Sequence, residues 1–288
     1  MKRALLVGIN QYPGCPLNGC INDVVGMFQV LTTKFDFKAE NIKVLTDREA
    51  TKANILTGLG WLTAEAKEGD TLVFDYSGHG SQVNVTDLTD NTEVDRRDEI
   101  ICNIDLDWNN PLRDHQIGAF FKSTPKTCEV FVLLDSCHSG SGLRNILSPQ
   151  IEIGGGPIVT NRFMTPPLSN ILMNPALVIK EDLSFQYLDP VVNVKAAKPR
   201  FLVSTAEQGD AILISGCRDD QTSADAFING RYNGAATFSL INTLTKYNFD
   251  LSYEQLAGGM NDYMLKNGYT QNPQLECRLD FFSKKFLK

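Results

Sequence analysis

The chain has 288 residues, 42% of them hydrophobic, and its 27 lysines and arginines against 34 aspartates and glutamates give a net charge of −7. This composition excludes a disordered chain, a collagen-like chain and a small disulfide scaffold. The acidic balance argues against a nucleic-acid partner, and no apolar run approaches the ~18 residues of a membrane span. The apolar run at 4–9 is too short for a signal peptide. Seven irregularly spaced cysteines are typical of reduced thiols, so we expect a cytoplasmic protein.

Strand and helix patterns alternate along the first half of the chain. A continuous apolar run predicts a first strand buried on both faces, and apolar residues at helical spacing follow it. Thr51 is expected to cap the second helix. The expected elements are strands at 4–9, 42–45, 71–76 and 130–134 and helices at 20–34 and after Thr51. Such alternation predicts an α/β fold with a mostly parallel central sheet flanked by helices on both faces.

Two stretches depart from this pattern. Residues 84–115 contain nine acids against three arginines, which is typical of a solvated acidic loop, although several oxygen ligands also suit a cation such as calcium. Residues 145–197 hold six of the twelve prolines and show little periodicity, which indicates a functional loop or a linker. Beyond them the pattern predicts strands at 201–205 and 211–215 and helices at 235–247 and 252–267.

Two motifs follow predicted strands directly. Tyr76–Gly80 contains His79 between two glycines, and Asp135–Gly140 contains Cys137 among small polar residues. In open α/β sheets ligands bind outside the carboxyl ends of the strands, so both motifs should lie at one edge. A packed core histidine and an inert buried cysteine are the alternatives. The surrounding residues favour an exposed thiol that pairs with His79 as nucleophile and base.

These motifs resemble those of the metacaspases, together with two further segments. The matching segments are Leu17–Asp23, Tyr76–Gly80, Asp135–Gly140 and Ile214–Asp225. We expect the bacterial, orthocaspase-type branch, because the chain is short and shows no N-terminal pro-region. The resemblance implies one caspase-like domain over 1–288, with a large-subunit-like part (1–144), an intersubunit-like segment (145–197) and a small-subunit-like part (198–288).

The resemblance implies a cysteine endopeptidase that cleaves after Arg or Lys and acts as a monomer on protein or peptide substrates. By position, Cys137 is the expected nucleophile and His79 its acid/base partner. The backbone N–H groups of Gly80 and Cys137 are the candidates for an oxyanion hole. A non-catalytic, peptide-binding scaffold is the main alternative, and a caspase-fold hydrolase of another specificity is a third.

An acidic first specificity pocket is also implied by the resemblance. Its expected lining residues are Asp23, Asp135, Ser77 and Cys20, with Asp220 and Asp225 adding negative potential nearby. A buried guanidinium requires a paired carboxylate, which makes such a pocket suited to arginine. The alternatives are that Asp23 only complements a helix N-terminus and that Asp135 only forms a turn.

Many metacaspases bind calcium, and the resemblance assigns Asp98 and Asp114 as ligands here. Two further family positions carry His115 and Arg144 instead of aspartate. A cationic arginine repels calcium, so we expect no required cofactor, unless nearby acids such as Asp95 or Asp105 substitute.

Self-cleavage in the middle segment is a further implication of the family. Arg144 is the candidate site, and the other basic residues in or beside the segment are Arg162, Lys180, Lys195 and Lys198. Ordinary surface charges are the alternative interpretation of all five residues.

Overall fold

Apolar strands form the centre of the molecule, and the computed structural model shows how they are ordered. It describes residues 1–84, 97–137, 150–151, 159–167, 201–203, 211–218 and 221–288. In chain order the strands are β1 (Lys2–Gly8), β2 (Ile42–Thr46), β3 (Thr71–Ser77), β4 (Gly80–Asn84), β5 (Arg97–Ile101), β6 (Leu112–Arg113), β7 (Glu129–Asp135), β8 (Gln150–Ile151), β9 (Val159–Asn161), β10 (Phe201–Val203), β11 (Ile212–Ser215), β12 (Ala224–Ile228), β13 (Arg231–Gly234) and β14 (Gln274–Cys277).

Helices cover the strands on both sides. They are α1 (Cys20–Lys34), α2 (Lys52–Thr63), α3 (Asp114–Lys122), α4 (Ala235–Lys246) and α5 (Tyr253–Lys266), with 3-10 turns at Ala39–Asn41, Asp47–Glu49 and Leu279–Phe281. The Thr51 side chain accepts a hydrogen bond from the Asn54 amide and caps α2 as predicted. Within the described ranges, no helix is long and apolar enough to cross a membrane.

The central sheet has seven strands in the order β10-β14-β11-β7-β3-β1-β2. The five strands from β11 to β2 are mutually parallel, whereas β14 runs antiparallel to β11. The predicted α/β class and mainly parallel sheet are therefore confirmed. Two smaller sheets, β13-β12-β9-β8 and β4-β5-β6, complete the described strands.

Strands β1, β3 and β7, in the middle of the sheet, are buried on both faces, as continuous apolar runs predict. In β1, Leu6 belongs to the apolar core on the side of α1, α4 and α5. The neighbouring Leu5 belongs to the core on the side of α2 and α3. Three layers, helix–sheet–helix, follow from this alternation, and they fix the carboxyl ends of β3 and β7 as one rigid edge.

The described part of the acidic stretch is only in part a solvated loop. Strand β5 pairs antiparallel with both β4 and β6, and the Asp98 and Ile100 side chains are buried. The prediction was wrong for residues 98–101 because a partner exists for the acid: Asp98 forms an ion pair with the guanidinium of Arg113. Asp105 and Asp107 lie exposed in the connection between β5 and β6, as a solvated loop predicts. Paired charges can enter an interior that isolated charges avoid.

Candidate active site

The two sequence motifs meet at one edge of the central sheet. Strands β3 and β7 are adjacent and parallel, with Ser77 opposite Asp135 at their carboxyl ends. The Gly78 amide also donates to the Asp135 carbonyl across a distance of 3.4 Å. The predicted placement of both motifs at the same edge is thereby confirmed. His79 and Cys137 each lie two residues after one of these strand ends.

His79 is held by contacts to its backbone and its ring. Its N–H donates to the Tyr12 hydroxyl at 3.1 Å, and the two rings lie 4.7 Å apart. Its carbonyl accepts from the Tyr76 hydroxyl at 2.6 Å and from the Cys102 amide at 2.9 Å. Because contacts from several elements set its position, the imidazole is preorganised.

The two ring nitrogens of His79 have different surroundings. Nε2 lies 2.8 Å from the Cys15 carbonyl oxygen, and because a carbonyl only accepts, this contact requires the proton to be on Nε2. Among the described residues, no group has hydrogen-bond geometry to the buried Nδ1. Burial lowers the pKa of His79 to about 4. At neutral pH Nδ1 is therefore an uncharged nitrogen with an available lone pair.

This lowered pKa predicts a loss of stability in acid that depends on His79. An unfolded histidine titrates near pH 6.5, so the unfolded chain binds more protons between pH 6.5 and 4. The contribution of the neutral ring is complete above pH 6.5 and is lost as pH falls towards 4. Between pH 7 and pH 5 the free energy of unfolding should fall about 2 kcal/mol more in the wild type than in His79→Gln. Urea titrations at both pH values measure this difference, and equal losses would contradict it.

The Cys137 thiol is buried. Its Sγ accepts a hydrogen bond from the Ser223 N–H at 2.7 Å, and the residue has no exposed surface. The expectation of an exposed thiol is wrong, because a segment distant in sequence lies against it: the Cys137 amide donates to the Arg162 carbonyl at 3.1 Å.

Two backbone amides converge on that same carbonyl oxygen. The Gly80 N–H donates to the Arg162 oxygen at 3.0 Å, and the Cys137 N–H donates to it at 3.1 Å. A side chain at position 80 would collide with the Cys137 carbonyl, so glycine allows this close approach. Gly80 and Cys137 are the two donors that the sequence analysis assigned to an oxyanion hole.

The guanidinium of Arg162 lies fully buried among three carboxylates. Its Nη2 donates to Asp23 Oδ2 at 2.6 Å and to Asp225 Oδ1 at 3.1 Å. Its Nη1 lies 3.3 Å from Asp135 Oδ1 and donates to the Asp135 carbonyl at 3.1 Å. Three of the four aspartates predicted in or near the acidic pocket are therefore brought together, and they surround an arginine of the same chain.

Fixed donors hold each carboxylate in place. Asp23 accepts the Gly234 amide at 2.9 Å. The loop before α1 binds Asp225 through the Gly19 amide at 2.9 Å. The Thr237 amide donates to Asp135 Oδ2 at 2.8 Å. These donors come from three elements, so the pocket forms only when the two halves of the chain pack together.

Carboxyl groups in and behind the pocket outnumber the single guanidinium among them. Burial raises the pKa of Asp23, against the lowering effect of Arg162, and Asp135 raises it further. Behind the pocket, Asp75 is fully buried with neither oxygen hydrogen-bonded among the described residues. Its pKa is raised well above the usual range by burial and by the neighbouring Asp23 and Asp135. The acids that surround the Arg162 guanidinium therefore hold it strongly.

The other predicted site residues have different positions. Cys20 and Ser77 are buried beside the pocket, at the start of α1 and the end of β3. Among the described residues, the Ser77 hydroxyl has no hydrogen-bond partner. Three predicted residues, Asp95, Arg144 and Asp220, lie outside the described residues.

Asp98 and Asp114 do not fit the calcium site that the resemblance implies. The Asp98 carboxylate is paired with the Arg113 guanidinium, and His115 Nδ1 lies 3.9 Å from each of Asp98 and Asp114. Within the described ranges, no group of three or more Asp, Glu, His or Cys side chains is arranged to hold a metal ion. The positive charge of the Arg113 guanidinium beside Asp98 repels a hard cation such as calcium.

Several residues of the site were missed by the sequence analysis. Tyr12 and Cys15 position the imidazole, while Ser223 and Gly234 contact the thiol and the pocket. No signal in the sequence indicates Gly234, because the short strand that ends there has no reliable period. Arg162 was considered only as a basic residue of the middle segment, where no periodicity indicates a partner.

Comparison with known proteins identifies similar sequences and a similar fold. A family model described as "Metacaspase, peptidase C14 domain" matches residues 2–145. Metacaspase-1 of Meyerozyma guilliermondii is 33% identical over 95% of this chain and 68% of its own length. Metacaspase-1 of Schizosaccharomyces pombe is 33% identical over 96% of this chain and 67% of its own length. A crystal structure of a Geobacter sulfurreducens protein matches with a TM-score of 0.66 at 23% identity, covering 100% of this chain and 98% of that chain, which supports the fold alone.

Proposed function

The chain belongs to the metacaspase family, and we propose that it is a cysteine endopeptidase that cleaves peptide bonds after arginine or lysine. Its fold is the caspase-like α/β arrangement, and the family is one of cysteine peptidases. Assignment to the bacterial branch stays a prediction.

One observation carries the proposal. The Arg162 side chain contacts Asp23, Asp225 and Asp135 while its carbonyl oxygen accepts from the Gly80 and Cys137 amides. Such a double placement is what a peptidase requires of the residue before the bond to be cut: the side chain supplies recognition, and the carbonyl lies among donors that stabilise an oxyanion.

The proposed chemistry uses His79 and Cys137 as a pair. Neutral Nδ1 of His79 takes the thiol proton as sulfur attacks the carbonyl carbon, and returns it to the leaving amine. The Cys15 carbonyl, bound to Nε2, fixes the required tautomer and stabilises the ring when it becomes charged. The amides of Gly80 and Cys137 hold the oxygen as charge develops on it.

The pocket supports a preference for basic residues over acidic ones. An aspartate side chain would bring another negative charge against Asp23, Asp135 and Asp225, without the cation that a buried carboxylate requires. Arginine matches the observed arrangement through two guanidinium nitrogens. Lysine supplies one compact ammonium to the same acids.

Hydrolysis of matched fluorogenic peptides tests this function. Peptides identical except for Arg, Lys or Asp before the bond to be cut should divide into cleaved (Arg, Lys) and uncleaved (Asp). Failure to cleave any of them, by the wild type and by the Arg162→Gln variant used below, would favour the non-catalytic scaffold. Preferential cleavage after Asp would indicate a hydrolase of another specificity.

Gly234 gives a sharper test of the pocket. A Cβ at this position would collide with Asp135 Oδ2 and with the guanidinium of Arg162, so Gly234→Ala should raise KM for an arginyl peptide at least about tenfold. The Gly234 amide and its bond to Asp23 are retained in the variant. Gly118→Ala is the matched control, because a Cβ there meets no atom within 4 Å. Equal effects of the two variants, measured by steady-state kinetics, would contradict the pocket assignment.

Activity should not depend on calcium. Asp98 is paired with Arg113, so adding calcium or a chelator should leave kcat/KM for the arginyl peptide unchanged. The measurement compares calcium with EDTA in the same metal-depleted preparation. Complete loss of activity in EDTA, restored by calcium, would show that other acids hold the ion.

Both halves of the chain contribute residues to the proposed site. The large-subunit-like part, 1–144, supplies Cys137 and His79, while the small-subunit-like part, 198–288, supplies Asp225 and Gly234. We also propose self-processing within 145–197, a monomeric state and a cytoplasmic location. The seven cysteines are all unpaired, which supports a reducing compartment.

A further inference from the structure

Residues 159–164, termed here the Arg162 segment, lie in the site as an added strand. Strand β9 pairs antiparallel with β12, with Thr160 opposite Asp225 and Asn161 opposite Ala224. The Arg162 amide then donates to the Ser223 carbonyl at 2.9 Å. Peptides recognised by strand addition are held in this way, by main-chain bonds with a pocket for a chosen side chain.

The segment is also held beyond the arginine. The Met164 amide donates to the Gly80 carbonyl at 2.9 Å, while the Gly80 amide donates to the Arg162 carbonyl at 3.0 Å. The Arg162–Phe163 peptide bond therefore crosses the site with its chain fixed on both sides. A segment that only blocked the pocket would need no contacts beyond its arginine. A substrate has to be held on both sides of the bond that is cut.

Position in the sequence and geometry agree on this arginine. Arg162 is one of the five basic residues in or beside the middle segment that were considered for self-cleavage. It is not a surface charge, since its side chain has no exposed area. Its backbone contacts Ser223, Gly80 and Cys137, which are the groups that the proposed function assigns to substrate.

We infer that the Arg162–Phe163 peptide bond is the chain's own cleavage site, cut within the same molecule, and that the uncut segment excludes other substrates from the pocket. This inference rests on the proposed function, and it names the first substrate of the proposed enzyme. Holding a bond and a nucleophile in one molecule replaces a bimolecular encounter by a unimolecular step.

The reaction balances with water as the only co-reactant. Cys137 sulfur bonds to the Arg162 carbonyl carbon and its proton passes to His79. The carbon–nitrogen bond to Phe163 breaks, and His79 protonates the leaving nitrogen to give a free amine. Water then adds to the Arg162 thioester and loses a proton to His79, and the carbon–sulfur bond breaks as the thiol is re-formed. The products are a carboxyl group at Arg162 and an amine at Phe163.

Mass spectrometry of the purified full chain during incubation tests the inference. We expect a fragment that begins at Phe163, accumulating at a fractional rate that is unchanged across about tenfold dilution of the protein. Cys137→Ala should stay intact. Arg48→Gln, which alters an exposed arginine on a turn, should be cut as fast as the wild type.

Two variants separate recognition from cutting. Arg162→Gln removes the side chain from the pocket, so the chain should stay uncut while cleaving arginyl peptides from the first moment, without the lag expected of the wild type. Phe163→Pro keeps Arg162 but makes the leaving nitrogen part of the proline ring. The segment's bonds to Gly80 use Arg162 and Met164, so this variant should stay uncut and cleave arginyl peptides poorly. It supplies the test if Arg162→Gln does not fold.

The outcomes distinguish self-cleavage after Arg162 from the proposed peptidase function. An intact wild-type chain that cleaves arginyl peptides at once would overturn the inference and leave the proposed function standing. Cleavage after Arg144 with residues 162 and 163 still joined, or a fractional rate that falls on dilution, would also overturn it. Absence of peptide cleavage in the wild type and in both variants would overturn the proposed function itself.

Discussion

Replacing Cys137 with alanine should lower kcat/KM for an arginyl peptide by at least about 10³-fold. The variant keeps the pocket acids and the backbone donors, but no sulfur is left to form the thioester. Steady-state hydrolysis by Cys137→Ala and by the wild type, each after the same incubation, measures the effect.

Cys128→Ala is the control for this experiment. Cys128 is also buried, but it precedes β7, whereas Cys137 follows it, so the two lie at opposite ends of the strand. Loss of activity in both variants would point to destabilisation of the fold. Retention of more than about a tenth of the activity in Cys137→Ala would show that Cys137 is not the nucleophile.

Asp23→Asn should lower kcat/KM for an arginyl peptide by about 10²-fold. Asp23 Oδ2 accepts a guanidinium bond of 2.6 Å, and the substitution removes its charge while leaving an oxygen for the Gly234 amide. Asp135 and Asp225 remain, which limits the loss. Peptides ending in arginine and lysine are compared at equal enzyme concentration.

Asp262→Asn is the matched control for the pocket charge. Asp262 lies exposed on α5, so its substitution changes the net charge equally without touching the pocket. Unchanged cleavage after arginine in Asp23→Asn would support the third interpretation, a caspase-fold hydrolase with another specificity.

Patterns of local sequence predict the centre of this fold well. The strands that end at Ser77 and Asp135 are continuous apolar runs, and helix α2 begins after its threonine cap. The short strands β12, β13 and β14 were not predicted, because four or five residues of mixed character carry no reliable period. Strand β12 nonetheless pairs with the Arg162 segment and connects it to the site.

The catalytic pair was predictable because its signals are local. Glycines flank His79, and small polar residues surround Cys137 after an apolar strand. Pocket acids are different: Asp23 and Asp225 lie some 200 positions apart in the chain but both contact one guanidinium. A resemblance to known proteins assigned them, since no spacing rule connects residues that only tertiary packing brings together.

Arg162 could not have been placed from the sequence. Its neighbours include proline and glycine and show no hydrophobic period, so nothing local indicates a strand. Its burial depends on Asp23, Asp135 and Asp225, which supply the charge that makes a buried guanidinium stable. The burial of Cys137 was missed for the same reason, because the covering segment comes from elsewhere in the chain.

Covalent labelling of Cys137 tests the central claim most directly. Arg162→Gln protein is treated with a peptidyl arginyl acyloxymethyl ketone, and the modified residue is located by tandem mass spectrometry. The account predicts one adduct, on Cys137, that forms with the arginyl reagent and not with its aspartyl counterpart. An adduct on another cysteine, or equal labelling by both reagents, would contradict it.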